Sequence, residues 1–115
     1  MAEFMMLIAQ DESEAPKVPP EQFEKVFTWW RGHEEAGRLK AGLGRRLQPS
    51  STARTVAVKG AGGGSTVTDG PFIEAKEMIG GYGIIEASSI EDAVQIASGW
   101  PAGPAWIEVR PVLEM

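Results

Sequence analysis

The stretch Glu3-Phe4-Met5-Met6-Leu7-Ile8-Ala9 constrains the fold more than any other part of the chain. After one acid it is apolar without a break. Read as a strand over residues 3–9, it sends Phe4, Met6 and Ile8 to one face and Met5, Leu7 and Ala9 to the other. Such a strand belongs in a sheet covered on both sides. The strand predicted over Trp106–Val112 makes a similar demand. Ile107 and Val109 point one way, and Trp106, Glu108, Arg110 and Val112 the other.

Between these two lie further elements. Asp11–Pro20 is acidic and proline-containing, and reads as a loop leading into a helix, since proline suits a first turn. The helix is predicted from about Pro20 to Arg38. Phe23, Val26, Phe27 and Trp30 fall at i, i+3, i+4 and i+7, one stripe facing the core, and Gly37 is a candidate early stop. Leu43–Gln48 and Thr52–Lys59 read as strands. Gly60–Ser65 is a turn, and Thr66–Thr68 starts the return strand of a hairpin. Asp69–Glu77 is a turn followed by a short irregular or helical piece, and Gly81–Ala87 is a strand. Ser88 and Glu91 make a Ser-x-x-Glu capping pattern before a second helix with Ile90, Ala93, Val94 and Ala97 on one face. Pro101 and Gly103 close it.

The order is β-α-β-β-β-β-α-β. With 60–65 taken as the tip of an inserted hairpin, the remainder is an α+β, ferredoxin-like βαββαβ arrangement. At 115 residues the chain is one domain, residues 1–115. Two helices cover only one face of such a sheet. The other face carries Met5, Leu7 and Trp106, which do not suit open water. A second copy packed there, giving a homodimeric α/β barrel, is the simplest cover.

Composition excludes several functions. The formal net charge is −5, which opposes nonspecific nucleic-acid binding. Arg45, Arg46 and Arg54 cluster slightly and read as a solvated strand edge. There is no cysteine, so no disulfide, thiolate nucleophile or cysteine-held zinc is available. The single histidine, His33, is too few for common histidine-rich metal sites, and no metal or cofactor is expected. No apolar run is long enough to span a bilayer, and the acidic start lacks a signal-peptide pattern. The expectation is a soluble, cytoplasmic protein.

The segment Thr68-Asp69-Gly70-Pro71-Phe72-Ile73-Glu74-Ala75-Lys76-Glu77 is the strongest motif. Gly80-Gly81-Tyr82 follows it, and Ile107-Glu108-Val109-Arg110-Pro111 comes after the second helix. Leu47-Gln48-Pro49 and Thr52-Ala53-Arg54-Thr55-Val56 add to the pattern. Together they resemble the YCII-related family, in its DGPF-domain branch, over nearly the whole chain. The resemblance implies a dimeric ferredoxin-like barrel. In some relatives it implies a His–Asp pair in a cleft, and one branch includes a dehydrochlorinase of a chlorinated hydroquinone. Others accompany extracytoplasmic-function sigma factors. Relatives often carry a histidine in the first half of the first helix. This chain has Val26-Phe27-Thr28-Trp29-Trp30 there, and only His33 beyond it.

On this reading Asp69 and His33 are the candidate acid–base residues. Each has a structural alternative: Asp69 as a turn cap, His33 as a packing residue beside tryptophan. Gly70, Pro71, Phe72, Glu74, Lys76, Glu77, Gly81, Tyr82 and Arg110 are candidate ligand-binding residues. Glu74, Lys76 and Glu77 would equally serve as a salt-bridge network, and Gly80, Gly81 and Gly83 as a bulge or bend. Arg110 would bind a carboxylate or phenolate, or pair with Glu108. Trp29 and Trp30 read as core and interface anchors. The expected function is small-molecule binding in a cleft at or near a dimer interface, with acid–base catalysis as an extension. The alternative is a noncatalytic regulatory or interaction module linked to transcription.

Overall fold

The long apolar strand sits where its composition demands, inside a four-stranded antiparallel sheet. The structure is a computed structural model that describes residues 1–114, with residues 15–17 described by backbone alone. Strand β1 (Ala2–Asp11) lies between β5 (Glu77–Ala87) and β6 (Trp106–Pro111), and β2 (Arg45–Arg46) borders β5. The order β2-β5-β1-β6 is compatible with a ferredoxin-like arrangement. Strands β3 (Arg54–Val58) and β4 (Ser65–Asp69) form a separate two-stranded ribbon.

Helices α1 (Pro20–Glu35) and α2 (Ile90–Ala97) lie over the same sheet face. That face carries Phe4, Met6 and Ile8 of β1 and Ile85 and Ala87 of β5, all buried. The two helices meet it differently. Helix α2 presents Ala93 and Ala97, both buried, and packs closely. Helix α1 has no fully buried residue. Its large side chains hold it off the sheet; Trp29 and Trp30 pack against the core, and Trp30 reaches the floor between Gly44 and Gly83. Of the stripe expected to face the core, Trp30 does so, and Phe23, Val26 and Phe27 line a cavity with it. Phe27 is 70% exposed.

Several boundaries differ from expectation for local reasons. The first strand runs on to Asp11 because β5 begins at Glu77, which pairs with it. A short 3-10 turn over Glu12–Lys17 replaces most of the predicted loop. The Glu12 carboxylate accepts from the Ser50 backbone N–H and hydroxyl, both at 2.9 Å, tying this turn to a second one at Ser50–Thr52. The first helix stops at Glu35, ahead of Gly37, whose φ is +78°. Only Arg45–Arg46 of the predicted Leu43–Gln48 strand is regular, although Lys40 N–H donates to Ile84 O and Leu47 N–H to Gly80 O along the same edge. The cap of α2 is Ser89, one residue later than expected, and it accepts from the Asp92 N–H at 3.1 Å. The Ser88 hydroxyl bonds the Asp92 carboxylate.

The second sheet face is bare. Across β5, β1 and β6 the pairing makes rows Ile79–Ala9–Trp106, Tyr82–Leu7–Glu108 and Ile84–Met5–Arg110. Trp106 is 52% exposed and Ile79 is exposed beside it. At one end Lys40 bridges Glu3 at 2.7 Å and Glu86 at 3.9 Å. The hydrogen bond and charge of Glu3, with Glu86 adding its charge, raise the Lys40 pKa. No helix among the described residues is long and apolar enough to cross a membrane.

Candidate functional site

The glycines that follow the DGPF segment shape the sheet beneath α1. Ile8 pairs with Gly81 and Ala9 with Ile79, so Gly80 is an extra residue that bulges from β5. Trp30 lies over the sheet, and no ordinary side chain fits under it. A Cβ on Gly44 would lie 2.1 Å from Trp30 Cζ2, and one on Gly83 would lie 2.8 Å from Cη2. Trp30 therefore stands as an inner wall. Its ring meets Trp100 edge-on at 6.2 Å, and Trp100 meets Trp29 at 5.2 Å.

The space left between α1, the sheet and the segment after α2 is a cavity of about 410 Å³. That is within the range of small-molecule sites. Its apolar wall comes from Ile8, Phe23, Val26, Trp30 and Trp100. Two polar atoms of lining residues, Gln22 Oε1 and Trp100 Nε1, are buried with no hydrogen-bond partner among the described residues. One is an acceptor and the other a donor, and leaving either unmet costs about 1–3 kcal/mol. Arg46 pairs across from Gly81, and its guanidinium carbon sits 4.6 Å from the centre of the Phe23 ring. The neighbouring Arg45 is held by carbonyls, at 3.0 Å to Gly42 O and 2.7 Å to Gly44 O.

Of the candidate catalytic and ligand-binding residues, only Gly81 lines this cavity. His33 lies at the last turn of α1, stacked edge-on against Trp29 at 4.5 Å. Its Nδ1 accepts from Arg38 Nε at 2.8 Å, which leaves the ring proton on Nε2. Burial, and secondly the Arg38 charge, lower its pKa. The ring is neutral near pH 7, with its lone pair already engaged. Asp69 ends β4 and pairs with Arg54, Nε to Oδ1 at 3.2 Å, in open solvent. Among the described residues no hydrogen bond, ion pair or ring contact joins Asp69 to His33.

Gly70 follows with φ +94°, a left-handed conformation that glycine adopts freely. Its N–H donates to Ala53 O at 2.8 Å, and its carbonyl accepts from the Thr55 hydroxyl at 2.8 Å. Pro71 is half-buried, and Phe72 is 84% exposed. Glu74 and Lys76 are exposed and Glu77 is half-buried; no ion pair joins the three among the described residues. Tyr82 and Arg110 stand on the bare sheet face, opposite to the cavity, where Arg110 Nη2 donates to Glu108 Oε2.

The sequence reading missed Gln22, Arg46 and Trp100 as site residues. The only signal was the aromatic weight of the α1 stripe, which looks the same whether it meets a core or a cavity.

A family model described as YCII-related domain matches residues 2–115. A protein of Rhizobium meliloti (strain 1021), described as uncharacterized, is 33% identical over 116 residues, covering 95% of this chain and 90% of the relative.

Proposed function

The chain belongs to the YCII-related family, and from that premise we propose that it is a small-molecule-binding protein whose ligand enters the cavity between α1 and the sheet. One observation carries the reading. The cavity is walled mainly by apolar and aromatic side chains, and the guanidinium of Arg46 lies over the Phe23 ring at its border, a charged group beside an apolar pocket that suits a small molecule. The fixed lone pair of His33 and the solvent-exposed ion pair of Asp69 favour binding over acid–base catalysis.

The protein works as a homodimer joined through the bare sheet face. The support is its row of Met5, Leu7, Ile79, Tyr82, Ile84 and Trp106, apolar and only partly covered within one chain. The dimeric barrel places the cavities on the outer layers, one under each α1. A cleft between subunits is not required for the ligand.

Thermal denaturation against a set of neutral and charged one-ring fragments tests the binding role. A rise in melting temperature is expected, and Val26→Trp, which fills the cavity, is expected to remove it while leaving the fold. Fragments that stabilise the wild type and the filled variant equally would overturn the reading.

A second reading, an interaction module, has one observation in its favour. Val56 and Val67 pair on one face of the β3–β4 ribbon, with Val58 on the same face, and all three are exposed. A lone two-stranded ribbon is marginal in water. A Val56→Thr, Val67→Thr double variant that leaves every pull-down partner in place would remove this reading.

A further inference from the structure

We infer that the ligand is an organic acid with a flat ring: its carboxylate meets Arg46, and its ring lies among Phe23, Val26, Trp30 and Trp100. The inference rests on the binding role proposed above and names the chemistry of that site.

The position of Arg46 comes first. Strand β2 puts it opposite Gly81, on the face that carries the cavity. Its guanidinium lies over the Phe23 ring, 4.6 Å from the centroid, and among the described residues it forms no ion pair. A guanidinium stacked on a ring face keeps its in-plane N–H groups for a carboxylate fork. The stacking also holds a long side chain in place, so less conformational freedom is lost when a ligand binds. Arg45 differs, because two backbone carbonyls already occupy its Nη1.

The other charges at the cavity leave Arg46 as the recognising cation. Arg31 and Glu34 lie one turn apart on α1 and offset each other. Asp11 accepts from the Ser13 N–H and hydroxyl at 3.0 and 2.7 Å. Glu14 also lines the cavity. Because acids are among the lining residues, the test includes a cationic ligand.

Three probes sharing one ring separate the possibilities: 4-hydroxyphenylacetate, its neutral amide and tyramine, titrated against the full chain by tryptophan fluorescence. The acid is expected to bind at least tenfold more tightly than the amide, about the worth of a charge-assisted hydrogen bond. Arg46→Gln is expected to bring acid and amide level. An amide or tyramine that binds as well as the acid, yet is lost in Val26→Trp, would overturn the acid while leaving the binding role intact. An acid preference unchanged in Arg46→Gln would overturn the assignment to Arg46. If none of the three binds, the acid class falls, and the fragment set decides the binding role separately.

Discussion

His33 shows how a residue that reads as catalytic becomes structural once its neighbours are known. Its pKa lies below 6.5, first because it is buried against Trp29 and then because Arg38 is close. The folded chain therefore holds this ring neutral where the unfolded chain would protonate it. The associated stability is complete above the unfolded value of 6.5 and is lost as pH falls through the lowered folded value. Melting temperatures at pH 7.5 and 5 should fall more for wild type than for His33→Gln; parallel profiles would contradict this. Gly83 makes the second residue-scale prediction. A Cβ there meets Trp30 at 2.8 Å and Met6 Cε at 3.3 Å, so Gly83→Ala pushes Trp30 into the cavity. Denaturant unfolding should show a loss of about 1–3 kcal/mol, and ligand response should weaken with it. Neither contact was legible in the sequence. His33 and Arg38 both fell near the end of one predicted helix, and nothing in a Gly-Gly-Tyr-Gly run names the tryptophan that rests on it.

Elements were far more legible. The apolar run at β1, the ribbon, the second helix and the last strand all follow from period and turn chemistry. The misplacements are small and have local causes. The predicted cap at Ser88 lies one residue early, because two serines stand together and only backbone geometry chooses between them. Ser89→Ala should cost about 1 kcal/mol in a denaturant midpoint, since it loses the bond to the Asp92 N–H. Ser88→Ala removes only an exposed side-chain contact and should cost less. Equal losses would contradict the cap assignment. Helix α1 is the informative failure. Its stripe was found, but its partner was taken to be a packed core. Periodicity reports which face of a helix is apolar and is silent on how closely that face is approached. Small residues brought α2 down onto the sheet, and aromatic ones kept α1 away.

At the scale of the molecule, one sheet separates two surfaces. The helix side holds the cavity, and the bare side holds Tyr82, Arg110 and Trp106, the face proposed to meet a second copy. Sedimentation at micromolar concentration should give a dimer, and Trp106→Glu a folded monomer; a monomeric wild type would remove the pairing without touching the cavity. The four tryptophans divide between these surfaces and report on them independently. Trp30 and Trp100 line the cavity, and Trp106 lies across the sheet. The most direct measurement is a nitrogen-15 correlation spectrum of the four indole N–H groups, recorded as 4-hydroxyphenylacetate is added. The Trp30 and Trp100 signals should move together while Trp106 stays in place. Movement of Trp106 alone would put the ligand on the bare face and contradict the cavity site.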